Sequence, residues 1–153
     1  MEYGLIMKQI REQYNISQKD IARILGIARS SYKQFELQYD IIPLKRLNMF
    51  CNYFDLSIDY ILGLNKNRKY DNSKKNLDLI ISGQRLKSLR KEKKMTQVKL
   101  ASILNIAPCM ISEYEKGKYP ISTSSLYMIC KYFKVSADYI TGKRDEKKEL
   151  VLN

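Results

Sequence analysis

The sequence predicts an all-α protein built from two tandem five-helix domains. Three observations carry that reading: a phrase spelled twice, helical rather than alternating periodicity in both copies, and a polar stretch between them. The phrase is MFCNYFDLSIDYILG from Met49 to Gly63, repeated as MICKYFKVSADYITG from Met128 to Gly142. Sliding the chain by 79 positions aligns Gly4–Gly63 with Gly83–Gly142 without a gap. About a third of the paired residues are identical and most others exchange like for like, which is the signature of an internal repeat. The period exceeds a solenoid unit and occurs only twice, so two small domains are expected, each near the smallest size that buries a core unaided.

The helices follow in order. In the first, Met7 and Ile10, or Leu86 and Leu89, fall on one side. Ser17, with Asp20 three residues on, and the equivalent Thr96 read as N-caps of a second helix carrying Ile21, Ala22 and Leu25, or Leu100, Ala101 and Leu104. That helix is expected to stop at Gly26 or Asn105, residues that tolerate a left-handed turn. A third helix spans about Arg29–Glu36 and Pro108–Glu115, proline being well placed at a helix start. Tyr32, Phe35, Ile111 and Tyr114 mark its inward face. The fourth carries the i, i+3, i+4, i+7 stripe Leu47, Phe50, Cys51, Phe54, repeated as Leu126, Ile129, Cys130, Phe133. Ser57 and Ser136 cap a short fifth helix ended by Gly63 and Gly142, with Asp59 and Asp138 in its first turn, where the dipole favours an anion.

These boundaries give a first domain over 1–64, a basic linker over 65–76, a second domain over 77–142 and a charged tail over 143–153. The linker NKNRKYDNSKKN has no aliphatic residue, and free chain of that length would span on the order of 20 Å.

The chain has 28 basic and 16 acidic side chains, a net charge of +12. Residues 1–64 hold 8 basic against 7 acidic groups, whereas 65–76 hold 5 against 1 and 77–142 hold 11 against 5. A surplus concentrated in one half points to a polyanionic partner. No apolar run approaches 18 residues and no basic-then-apolar leader precedes the first copy, so a cytoplasmic protein without a membrane span is expected. Cys51 and Cys130 sit at equivalent apolar positions and read as core thiols in a reducing compartment. The chain has no histidine, so cysteine–histidine zinc sites and histidine-based triads are excluded. It has no glycine-rich phosphate loop either. Neither enzymatic activity, a metal nor a cofactor is expected.

The ordered set Thr96-Gln97-x-x-Leu100-Ala101-x-x-Leu104-Asn105-Ile106, then Ile111-Ser112-x-Tyr114-Glu115-x-Gly117-Lys118, resembles the phage Cro/repressor (xenobiotic-response-element) helix-turn-helix family. Copy one offers Ser17-Gln18-x-x-Ile21-Ala22-x-x-Leu25-Gly26-Ile27, then Tyr32-x-x-Phe35-Glu36. The resemblance implies two tandem lambda-repressor-like DNA-binding domains. In that family the second helix crosses the DNA backbone and the third enters the major groove. Carried over, Gln18 and Gln97 contact phosphate or a base edge, and the reading faces are Arg29, Ser30, Lys33, Gln34 and Pro108, Cys109, Ser112, Glu113. Lys116 and Lys118 would meet phosphate. Cys109 reads as a small contact to a thymine methyl or as indifferent to the DNA, with oxidation there as the alternative. The resemblance also implies structural ion pairs between Arg11 and Glu36 and between Arg90 and Glu115.

The copies depart from the pattern in opposite ways. Copy one has good base-reading side chains, since Arg pairs guanine and Gln pairs adenine, but has Leu37-Gln38-Tyr39-Asp40 where copy two keeps Lys116-Gly117-Lys118. Copy two has the charge but few long donors. Two arrangements follow: a division of labour between base reading and phosphate contact, or one copy serving as a dimerisation domain. The reading is a sequence-specific regulator of transcription, a repressor of double-stranded DNA sites acting as a homodimer or an intrachain pseudo-dimer, with no small-molecule sensing domain. The alternative is a protein-interaction partner such as an antitoxin or antirepressor, docking through the apolar residues around Leu37–Ile42.

Overall fold

The computed structural model describes residues 1–147 and residue 150 of the chain. Those residues form ten α-helices and no strand, and no helix among them is long and apolar enough to cross a membrane. The chain divides into two compact units, Met1–Lys69 and Tyr70–Asn153. Unit one holds α1 (Tyr3–Gln13), α2 (Gln18–Leu25), α3 (Arg29–Leu37), α4 (Leu44–Phe54) and α5 (Ile58–Ile61). Unit two repeats the order as α6 (Leu79–Glu92), α7 (Gln97–Leu104), α8 (Pro108–Glu115), α9 (Thr123–Phe133) and α10 (Ala137–Ile140).

Each unit closes on its own apolar stripe. Met7, Ile21, Leu25, Leu47, Phe50, Ile58 and Ile61 are sealed from solvent in the first unit. Leu86, Leu100, Ile111, Leu126, Ile129 and Ile140 are sealed in the second. Each such side chain contributes about 1.5–3 kcal/mol by leaving water. Cys51 and Cys130 lie inside these cores and Cys109 is exposed. Phe35 departs from the expected inward set: it is half-buried, while Tyr32, Ile111 and Tyr114 are buried.

The helix ends follow the sequence signals. Ser17 Oγ accepts the Asp20 N–H at 3.1 Å, and Thr96 Oγ1 accepts that of Lys99 at 3.1 Å. Ser57 and Ser136 cap α5 and α10. Gly26 and Asn105 are both left-handed, at φ 67° and 55°. Two further caps are Asp78 on α6 and Ser122 on α9. The repeat begins on glycine for a steric reason. A Cβ on Gly4 would stand 2.2 Å from the Glu36 carbonyl oxygen, and one on Gly83 would stand 2.5 Å from those of Tyr114 and Glu115. The first helix of each unit therefore crosses the end of the third at backbone contact.

The stretch read as a linker, 65–76, is divided between the two units, the boundary in the chain falling between Lys69 and Tyr70. On the unit-one side Ser57 Oγ donates to the Asn67 carbonyl at 2.7 Å and Lys69 pairs with Asp55 at 2.7 Å. On the unit-two side the Lys74 N–H donates to the Lys143 carbonyl at 2.7 Å, and buried Tyr70 lies under the Arg144 guanidinium, 3.9 Å from its ring centre. The start of the tail is likewise packed: Lys143, Arg144 and Leu150 are buried. Hydrogen bonds from Lys74 and Arg85 hold the exposed Asp145 carboxyl below its usual range. Polar composition suggested free chain here, yet backbone carbonyls and aromatic faces supply partners that composition does not register.

Candidate nucleic-acid interface

The turn between α2 and α3 is set by its last residues. The Ile27 N–H reaches back to the Ala22 carbonyl at 3.0 Å, and the Ile106 N–H to that of Ala101 at 3.0 Å. These wider-loop bonds around a left-handed residue stop one helix and release the next at a fixed angle. Arg46 adds a support the sequence did not announce. Its Nη1 donates to the Leu25 carbonyl at 2.9 Å, a cation at the negative end of α2.

Behind the third helix lies a buried bracket of three side chains, present in both units. Arg11 grips Glu36 through Nη2 at 2.8 Å and Nε at 3.3 Å, and its Nη1 donates to the Ile16 carbonyl at 2.9 Å. Gln18 Nε2 donates to the same carboxylate at 3.3 Å. In unit two Arg90 Nε meets Glu115 Oε1 at 2.8 Å, Gln97 Nε2 takes Oε2 at 2.8 Å, and Arg90 Nη1 bonds the Met95 carbonyl at 2.7 Å. The four charged side chains are 3–10% exposed. The hydrogen bond to Glu36 raises the Arg11 pKa further. Burial, and then the Glu36 charge, push the nearby Tyr32 phenol well above its usual range, and its hydroxyl finds no hydrogen-bond partner among the described residues. Each Gln, expected to face DNA, thus has its amide nitrogen tied to the bracket and is half-buried.

In front of the bracket the two units part. Arg29, Ser30 and Lys33 are exposed on α3 and Gln34 is half-buried beside them. Pro108 and Cys109 are exposed on α8, while Ser112 and Glu113 are half-buried. Lys116 and Lys118 are exposed, and Lys118 Nζ lies 3.4 Å from Glu113 Oε2, so one expected phosphate contact pairs with one expected base contact.

The turn after the third helix is retained in copy one without its glycine. Gly117 is left-handed at φ 71°, and a Cβ there would meet Ile80 Cδ1 at 2.8 Å and the Leu79 carbonyl oxygen at 2.9 Å. The equivalent Gln38 adopts φ 59° at a steric cost. Its side chain offsets that cost by accepting the Gly4 N–H at 3.0 Å, where α1 has no cap of its own, and by donating to the Met1 carbonyl at 2.9 Å.

Comparison with known proteins agrees with this geometry. Curated relatives include an uncharacterized HTH-type transcriptional regulator, YobD, of Bacillus subtilis, 34% identical over 46% of this chain and 63% of its own length. Antitoxin PezA of Streptococcus pneumoniae is 39% identical over 40% of this chain and 39% of its own. The immunity repressor protein of Bacillus phage phi105 is 34% identical over 44% of this chain and 46% of its own. The chain thus covers less than two thirds of each of these relatives. The profile of the helix-turn-helix domain matches residues 6–66 and again residues 83–146. The chain belongs to the helix-turn-helix domain family and carries that domain twice.

Proposed function

We propose that the chain is a sequence-specific DNA-binding regulator of transcription, acting as a repressor in the cytoplasm, and that it works by binding rather than catalysis. The observation that carries this reading is the outward face of α3. Arg29 and Lys33 stand in solvent with no ion pair among the described residues, on a helix fixed from behind by a buried bracket. Arg29 suits guanine and Gln34 suits adenine. Lys116 and the basic surplus of unit two supply the phosphate term that dominates affinity. The relatives named as a transcriptional regulator and an immunity repressor favour the same reading.

Binding-site selection from random duplexes, followed by a salt titration, tests it. A regulator enriches one sequence and loses affinity steeply as salt rises. An inverted repeat with half-sites near 34 Å apart identifies a homodimer, and an asymmetric site identifies one chain supplying both reading helices. No enrichment and no salt dependence would refute the proposal.

One observation favours the second reading, an antitoxin-like protein partner. Leu37, Tyr39 and Ile41 are 49%, 77% and 44% exposed in copy one, where copy two has Lys116, Lys118 and Pro120. That apolar edge gains nothing from phosphate, and antitoxin PezA is among the relatives.

A further inference from the structure

We propose that Glu113 is the residue with which copy two selects a cytosine, and that Lys118 is its positioning residue; the inference rests on the DNA-reading function proposed above. On the outward face of α8, Pro108 and Cys109 offer no strong donor or acceptor and Ser112 is short. Glu113 is the one long polar side chain of the four. Its Oε2 oxygen is buried, accepts no hydrogen bond among the described residues and lies 3.4 Å from Lys118 Nζ. The side chain is 26% exposed, and since Oε2 is buried that exposure falls on the other atoms. The ammonium therefore stands beside one carboxylate oxygen, and the other is the one left to meet a base.

The repeat supplies an internal comparison. The positions equivalent to Glu113 and Lys118 in copy one are Gln34 and Tyr39. The cation occurs only in the copy that carries the acid. A bare carboxylate at a reading face would be repelled by phosphate, and a neutralised pair removes that penalty.

The chemistry then picks the base. An ionised carboxylate only accepts hydrogen bonds. In the major groove guanine presents two acceptors and thymine an acceptor and a methyl. Adenine sets its amino donor beside the N7 acceptor, which repels an anion. Cytosine alone presents a donor, its N4 amine, without an adjoining acceptor.

Site selection with the full chain and with Glu113→Gln tests the inference. We expect one position of the wild-type site to read cytosine and to change to adenine in the variant, because a glutamine amide matches adenine N6 and N7. On the wild-type site, N4-methylcytosine at that position replaces the outward N–H. Wild-type affinity should fall roughly 5- to 100-fold, with affinity for random duplex unchanged. Lys118→Met should lower the cytosine-over-adenine ratio and Lys118→Arg should restore it. An unchanged base in the Glu113→Gln site, or full tolerance of N4-methylcytosine, overturns this inference while leaving DNA reading intact. Failure of the wild-type chain to enrich any sequence overturns the DNA-reading function and this inference with it.

Discussion

Glu36→Ala removes the carboxylate that Arg11 and Gln18 share, and its cost follows from what is left behind. At 2.8 Å the gross attraction between Arg11 and Glu36 is about 6 kcal/mol at an effective dielectric near 20. Desolvation of the two charges cancels part of it. Truncation nevertheless strands a guanidinium that is 10% exposed, with the Ile16 carbonyl as its remaining bond. A buried charge left without its partner typically costs roughly 3–5 kcal/mol. That rivals the whole stability of a domain this size, about 3–10 kcal/mol. Urea unfolding of the full chain by far-UV circular dichroism should therefore show unit one melting early and unit two unmoved, with amide hydrogen exchange assigning the early loss to residues 1–69. Arg11→Met with Glu36→Leu should recover most of the loss, because an apolar pair of similar volume carries no stranded charge. A loss under about 1 kcal/mol for Glu36→Ala would place the pair with surface ion pairs and refute the reasoning.

Gly83→Ala should destabilise unit two by roughly 1–3 kcal/mol or more in urea, since the new methyl group meets two backbone carbonyls at 2.5 Å. Gln38→Ala should cost about 1–2 kcal/mol, because it keeps the left-handed backbone and loses the cap on Gly4. Gln38→Gly should stay within about 0.5 kcal/mol of wild type, as relief of the backbone offsets the lost cap. The folded-state pKa of Tyr32 stands above its ordinary value of 10.0, so the unfolded chain loses the phenolic proton first. Its contribution to unit-one stability is then intact below pH 10 and declines as pH rises beyond it. Tyr32→Phe should remove part of the fall in melting temperature as pH rises above about 10, and Tyr3, whose pKa burial also raises, should contribute to the same fall.

The helices were legible because their signals are local. Caps at Ser17 and Thr96, the stops at Gly26 and Asn105 and the stripes of α4 and α9 each lie within a few residues of the structure they dictate. The Arg–Glu pairs were legible only through the repeat, which keeps both residues in place, joined to the resemblance, since 25 residues separate the partners and nothing local joins them. The third member of each bracket, Gln18 or Gln97, was legible as a residue at a helix start but not as a donor to that glutamate. Gln38 was hidden by its identity: a sequence reader sees a missing glycine, whereas the backbone keeps the turn and pays with a side-chain cap. The pairing of Glu113 with Lys118 left one trace in the sequence, the joint appearance of acid and cation in a single copy. The packing of residues 65–76 left none, because carbonyl acceptors carry no sequence label.

The bracket of arginine, glutamine and glutamate stands unchanged behind two faces that share no residue at any of their four outward positions. The buried Arg–Glu pairs and the four outward positions are therefore distinct sets of residues, joined only through Gln18 and Gln97 at the edge of each bracket. Grafting Arg, Ser, Lys and Gln onto positions 108, 109, 112 and 113 leaves the Arg90–Gln97–Glu115 bracket behind α8 untouched, at the cost of the proline that starts the helix. With an amide at 113, Lys118 also loses its acid and becomes an exposed cation with no carboxylate beside it.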